Sequence, residues 1–387
     1  MDVVIISPYP PRQSGIASFA ADVRRSLLPH VDAVHVVASL AGEDEPGVAL
    51  LGGFRQDVRG DYPLAAERIN GSGADVVLLQ HAFEIYGGQD GEYVLDLVRA
   101  LRVPYCVALH TVLEHPSVGQ STVVRALCAG AEKVLVFSPR ARRLLSSAAL
   151  VNPGKVTVVP HGAPTALIEP PADLDVSARL AAMVGRDIYG RRVVSTFGLL
   201  APHKGLEHVI AALPAVVEVA PDVLYVVAGV TCSRVVEEFG EVYRHELEAL
   251  VQEKGMQDHV VFVNRFLDDR DLISLLRGTQ VFVTPYSERE QIVSGTLTYA
   301  IAAGCAVVST PYFHAQDLAG TGAVVLADFG DAVSLGRGLA RLLGNPSAIA
   351  SARRAASALA GKLSWEAVGL QMAGLLDDAT GGGRITA

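Results

Sequence analysis

Short apolar, β-branched runs alternate along the chain with longer segments whose apolar positions recur at helical spacing. In the first half the runs are VVIIS, AVHVVA, DVVLLQ, YCVALH, KVLVF and KVTVVP, with helical patterns in GIASFAADVRRSLL, EYVLDLVRALR and PRARRLLSSA. Strands that are apolar throughout, rather than at every second residue, are covered on both faces, and intervening helices are the connections that parallel strands need. Around residues 163–190 prolines, acids and glycines interrupt the pattern, and it then resumes with RRVVSTF, VLYVVAG, HVVFVN, VFVTPY, AVVST and AVVLA. Two similar halves with a polar joint predict an α/β protein of two Rossmann-like, doubly wound parallel-sheet domains facing across a cleft.

Length agrees with that division, because single cores stop growing near ~250–300 residues and this chain has 387. A net charge of -9 argues against a partner that is nucleic acid. The four cysteines, Cys106, Cys128, Cys232 and Cys305, lie far apart in apolar runs, without metal-ligand spacing, and read as reduced core residues. No segment is an uninterrupted span of ~20 apolar residues, and MDVVIIS lacks a basic leader, so a cytoplasmic protein without an integral membrane segment is expected. Peripheral membrane contact and oligomeric state are left open.

In open parallel sheets ligands bind beyond the carboxyl ends of the strands, which directs attention to the residues that follow each run. After the first strand comes SPYPPRQSGIASFA, where Ser14 is a candidate helix cap and Gly15 permits close backbone approach. His81 and His110 end two strands of the same half, and HAFEIYGGQDG, with Glu84, forms a loop that either recognises an acceptor or caps the domain. In the second half Gly198 follows a strand and Lys204 heads a long helix, where the helix dipole opposes a cation unless an anion compensates. Arg265 is a weaker candidate of the same kind. EREQIVSGTLTYAIAAG then places Ser294, Gly295, Thr296 and Leu297 at the start of a helix, so their amides and Lys204 form a candidate diphosphate cradle that needs no metal. Asp173/Asp175 and Asp269/Asp271 read as a linker charge and a helix cap rather than metal ligands, and no GxGxxG or GxSxG motif is present.

Taken in order, FGLLAPHKGLEHVIAAL, YVVAG, VVFVNRFLDDRDLISLLRGTQVFVTPY, GTLTYAIAAGCAVVST and LSWEAV, with SGIASF and ALHT earlier, resemble the retaining nucleotide-sugar glycosyltransferases of family 4. The resemblance covers nearly the whole chain. It implies a GT-B fold: an acceptor-side domain over 1–170 completed by a crossing helix at 364–379, a nucleotide-sugar domain over 185–363, and a flexible tail over 380–387, with Trp365 near the crossing. It also implies a nucleoside-diphosphate sugar as donor, a hydroxyl acceptor, and no metal or other cofactor. Lys204 and the amides of Ser294 to Leu297 would hold the diphosphate, His110 would lie beside the transferred sugar, and Gly15 would belong to the N-terminal loop at the donor. His81 and Glu84 fall to the acceptor side.

The chain departs from the family where two glutamates eight positions apart are usual, since Gln291 and Tyr299 stand there. Glu290, one residue out of register, could supply a carboxylate near the sugar, and Glu288 less directly. The family's arginine after the first glycine of the second domain is Leu199 here, which leaves more of the phosphate charge to Lys204. A catalytically idle nucleotide-binding protein, an epimerase or phosphorylase on the same scaffold, and a nicotinamide oxidoreductase remain as alternatives.

Overall fold

The computed structural model describes residues 1–42 and 51–381. The expected tail therefore lies outside the described residues from 382 onward. The chain divides into two compact units, one of Met1–Gly162 with the chain from Trp365 onward, the other of Ala163–Ser364.

The first unit contains β1 (Asp2–Ser7), α1 (Gly15–Leu27), β2 (Ala33–Leu40), β3 (Gly52–Arg55), α2 (Asp61–Asn70), β4 (Val76–His81) and α3 (Val94–Ala100). It continues through β5 (Tyr105–Leu109), α4 (Val118–Gly130), β6 (Lys133–Val136), α5 (Pro139–Ser147) and β7 (Val156–Val158). The strands form one parallel sheet in the order β3-β2-β1-β4-β5-β6-β7. β1 and β4 are neighbours although two strands separate them in the chain, so the order reverses there and the connecting loops part above their carboxyl ends. Ser14 starts α1 by accepting from the Ala17 amide at 3.1 Å, a cap of the kind contributing about 1 kcal/mol.

The second unit contains α6 (Thr165–Ile168), α7 (Val176–Val184), β8 (Arg192–Phe197), α8 (Leu206–Val219), β9 (Val223–Ala228), α9 (Ser233–Phe239), α10 (Val242–Glu253) and β10 (Val260–Val263). After these come α11 (Asp269–Gly278), β11 (Val281–Thr284), α12 (Gly295–Ala302), β12 (Ala306–Ser309), α13 (Phe313–Ala319), β13 (Val324–Leu326), α14 (Ala332–Leu343) and α15 (Pro346–Ala360). Its sheet is also parallel, in the order β10-β9-β8-β11-β12-β13, and reverses between β8 and β11.

The polar joint is more ordered than its composition predicts. Leu180 and Val184 of α7 are buried in the same cluster as Val193, Leu224 and Leu275, which draws the segment from Ala163 onward into the second unit. Of the two acid pairs, Asp173 pairs with Arg270, Asp175 caps α7 and Asp271 is clamped by Arg179, whereas the cap of α11 is Asp268, one residue before the expected Asp269.

The last helix, α16 (Trp365–Ala379), belongs to the first unit. Gly369 lets it approach α1, since a Cβ there would lie 2.3 Å from the Ser26 carbonyl oxygen. Trp365 packs its ring on Phe19 and over Gly162. Among the described residues no helix is long and apolar enough to cross a membrane.

Candidate active site

In the second unit the carboxyl ends of β8 and β11, the two strands at the reversal, carry the candidate donor-binding residues. Gly198 leaves β8 at a φ of +123°, and its nearest neighbour beyond the chain is the Thr296 methyl, 3.4 Å from where a Cβ would stand. That contact brings the end of β8 against the first turn of α12. A Cβ on Gly229, after β9, would lie 1.9 Å from the Gly198 carbonyl oxygen, so only glycine permits this backbone approach.

Lys204 ends a 3-10 turn, and Gly205, at φ +63°, follows it and admits the Pro285 carbonyl. The lysine is thus on a turn packed against the segment leaving β11 and not in the first turn of α8. Its ammonium lies 4.0 Å from the centroid of the Tyr286 ring and makes no ion pair among the described residues. Tyr286 is buried, stacks on Tyr312, and exchanges a 2.7 Å hydrogen bond with the Thr296 hydroxyl. Lys204, Tyr286, Gly198, Leu199 and Leu200 line one recess, and the start of α12 adjoins it through the contacts of Thr296 with Gly198 and Tyr286.

The amides of α12 do not all point outward. Ser294 N donates to His314 Nδ1 at 2.9 Å, and Leu297 N donates to the Ser294 hydroxyl at 3.3 Å. The amides of Gly295 and Thr296 have no partner among the described residues, which narrows the expected four-amide cradle to two.

The segment before α12 is tied down at both ends. Ser287 N donates to the His203 carbonyl, while Phe313 N and His314 N donate to the carbonyls of Arg289 and Gln291. Gln291 also turns its amide to the Val293 carbonyl at 3.2 Å, and Glu290 is half-buried beside it. Tyr299 stacks against Phe197 with centroids 6.2 Å apart. Burial lowers the pKa of His203, an effect that Lys204 adds to and Glu288 opposes. Arg265, expected on the diphosphate, is engaged by the buried carboxylate of Asp271, which needs charge partners more than the exposed arginine does.

In the first unit Gly15 is the exposed first residue of α1, and nothing among the described residues lies within 4 Å of a Cβ built on it. His110 continues β5 by donating its amide to the His81 carbonyl at 2.8 Å. Its ring packs edge-on against Phe19 at 4.7 Å and beside Phe137 at 4.8 Å, and Nε2 lies 2.7 Å from Gln80 Oε1. Burial holds its pKa down to about 3, with smaller contributions from His161 and His81. His81 differs from its expected place on the acceptor side. It is wholly enclosed near Phe83 and Tyr86, neither ring nitrogen has a partner among the described residues, and burial pushes its pKa down to about 4. No surface of it is left for an acceptor. Glu84 is exposed on the 3-10 turn Phe83–Ile85, whose carbonyl at Glu84 accepts from Gln56 at 2.8 Å.

Tyr286, Gly229 and Gln80 were not singled out from the sequence. Each lies at or just past a strand's carboxyl end, so the strand-end rule would have found them had it been applied to aromatic and amide side chains as well as charged ones.

A family model described as "Glycosyl transferases group 1" matches residues 188–359. Comparison with curated proteins finds no match. Among solved structures the chain is similar to HepE of Anabaena in complex with UDP, with a TM-score of 0.77 and 18% identity, over 98% of this chain and 100% of that one. It is also similar to the UDP-forming α,α-trehalose-phosphate synthase of Burkholderia xenovorans, at a TM-score of 0.71 and 13% identity over 96% and 99% of the two chains. A third is WaaG, a glycosyltransferase involved in lipopolysaccharide biosynthesis, at 0.69 and 14% over 97% and 99%. With two parallel sheets of seven and six strands among the described residues, the fold is GT-B, as the sequence resemblance implies. Residues 188–359, which carry the recess around Lys204 and the start of α12, are the part of the chain that resembles the glycosyl transferases group 1.

Proposed function

We propose that this chain is a retaining glycosyltransferase that moves a hexose-type sugar from a nucleoside-diphosphate sugar to an acceptor hydroxyl without a metal. The observation that carries the reading is the meeting of Lys204 and Tyr286 in one recess at the sheet reversal, with the two open amides of α12 next to it through the Tyr286–Thr296 hydrogen bond. HepE, solved with UDP and with UDP-glucose, supports a uridine nucleotide as the first donor to test.

In this reading the bond between the sugar's C1 and the diphosphate oxygen breaks with oxocarbenium character. The acceptor oxygen bonds to C1 from the same face, and its proton passes to the departing phosphate. Lys204 and the amides of Gly295 and Thr296 take up the charge that grows on the leaving group, and their fixed positions spare the reorganisation that water would require. Glu290 or Gln291 orients sugar hydroxyls, Gly15 lets the N-terminal loop approach the donor, and His110 lies beside the sugar. Glu84 belongs to the acceptor side. Arg265 joins the diphosphate only by leaving Asp271.

The test is turnover of UDP-sugars with product analysis by NMR, with and without chelator. Anomeric retention and chelator-resistant turnover are expected. A chelator-sensitive reaction or an inverted product would contradict the reading. A catalytically idle nucleotide-binding protein is the second reading, favoured by Gln291 and Tyr299 at the positions of the usual glutamates, and it binds nucleoside diphosphate without turnover.

A further inference from the structure

Gln80 is the last but one residue of β4 and has no accessible surface, yet its side chain reaches the imidazole of His110. We infer that Gln80 is a positioning residue that fixes the tautomer of His110, so that the ring meets its substrate as a hydrogen-bond acceptor at Nδ1. This rests on the reading of His110 as the group beside the transferred sugar.

The argument is one of donors and acceptors. An amide oxygen can only accept, so with Gln80 turned to present Oε1 at 2.7 Å, its own Nε2 buried without a partner among the described residues, the proton belongs on His110 Nε2. A neutral ring has one proton to place, which leaves the lone pair on Nδ1. The ring is neutral because Phe19 and Phe137 pack around it and displace the water that would solvate a cation. Of the groups facing it, His81 on β4 and His161 after β7 are the titratable ones; each is itself held neutral by burial, with its pKa near 4. α1 and α16 contribute the uncharged Phe19 and, behind it, Trp365. Nδ1 has no partner among the described residues, on a side chain only half-buried.

A lone pair at Nδ1 selects its ligand by chemistry. It accepts from a hydroxyl, and it repels an ionised phosphate oxygen, which has no proton to give. His110 therefore orients a substrate hydroxyl and takes no share of the diphosphate charge.

The substitution Gln80→Glu tests this, because a carboxylate still accepts from Nε2–H but also favours the protonated ring. The expected result is a retained plateau of kcat/KM at high pH, with the acid limb displaced upward by about one pH unit or more. A role confined to packing would leave that limb where it is. Gln80→Met, of similar size but without an acceptor, is expected to lower the plateau about tenfold or more while the thermal shift produced by UDP is unchanged. A Gln80→Glu profile superimposable on the wild type, or a plateau lost at every pH, would overturn the inference.

Should the buried carboxylate prevent folding, nitrogen-15 NMR of labelled histidine in the wild-type protein, assigned with His110→Ala, reads the tautomer directly. A protonated Nε2 with a pyridine-like Nδ1 supports the inference, and the reverse tautomer overturns it. Wild-type turnover by His110→Ala would instead remove His110 from the transfer reaction, while the NMR result still judges the tautomer.

Discussion

The ammonium of Lys204 stands 4.0 Å from the centre of the Tyr286 ring, and the hydroxyl of that ring is bonded to Thr296 at the start of α12. One aromatic side chain thus fixes the distance between the cation and the open amides. The ring's quadrupole also steadies a lysine that has no carboxylate partner among the described residues, an effect of about 0.5–1 kcal/mol at a partly exposed site.

Replacing Tyr286 separates these two contributions. Tyr286→Phe keeps the ring and loses only the bond to Thr296, so UDP affinity should weaken about two- to tenfold, matching the net worth of one hydrogen bond. Tyr286→Leu should weaken it further, because the lysine loses its platform as well. Calorimetric titration with UDP checks both, and equal affinities in the two variants would contradict the proposed linkage.

Gly229 bears on stability. At φ +141°, with the Gly198 carbonyl 1.9 Å from any Cβ, Gly229→Ala must push the ends of β8 and β9 apart. We expect a loss of about 2–4 kcal/mol, seen as a melting temperature lowered by roughly 5–15 °C. An unchanged melting temperature would show that the two turns are free to separate.

Gly15 gives the opposite pattern. A Cβ there meets nothing within 4 Å, and alanine is the better helix former by about 0.5–1 kcal/mol, so Gly15→Ala should not lower the melting temperature. If the donor approaches this backbone, turnover should fall about tenfold or more in the same variant. Full turnover would place the donor elsewhere.

Acid should destabilise the first unit through its buried imidazoles. The folded pKa of His81, about 4, lies below the ordinary value of about 6.5, so the unfolded chain binds the extra proton between them. Stability is thus complete above about pH 6.5 and falls as pH drops toward 4, by roughly 2 kcal/mol at pH 5 from His81 alone. His161 acts in the same direction. Urea unfolding at pH 7 and pH 5 should show a smaller loss in His81→Met than in the wild type, and equal losses would contradict the assignment.

Much of this was legible because parallel strands covered on both faces are continuous apolar runs, and VVIIS, VLYVVA and VFVT stand out from any background. β3 was not legible: GGFR has four residues, two of them glycine, and pairs along β2 at the sheet edge. α2 and α7 were hidden for a related reason, since DYPLAAERIN and VSARLAAMV are short and their apolar faces declare themselves only against a sheet. Within the site, Lys204 and the turn at Ser294 were readable as residue types at strand ends. Which amides stay open was not, because His314, twenty residues away, takes the Ser294 N–H. The enclosure of His81 was equally invisible, as a strand-end position does not say which way a side chain turns.

The most direct measurement is a titration and turnover assay of Lys204→Ala with UDP and UDP-sugars, set beside the wild-type protein. Removing the one cation of the recess should weaken UDP binding and cut turnover by about 10²- to 10³-fold, with the melting temperature of the free protein little changed, as expected of a group that meets the leaving diphosphate. Affinity and turnover equal to those of the wild type would contradict the central claim that this lysine and the start of α12 hold the diphosphate.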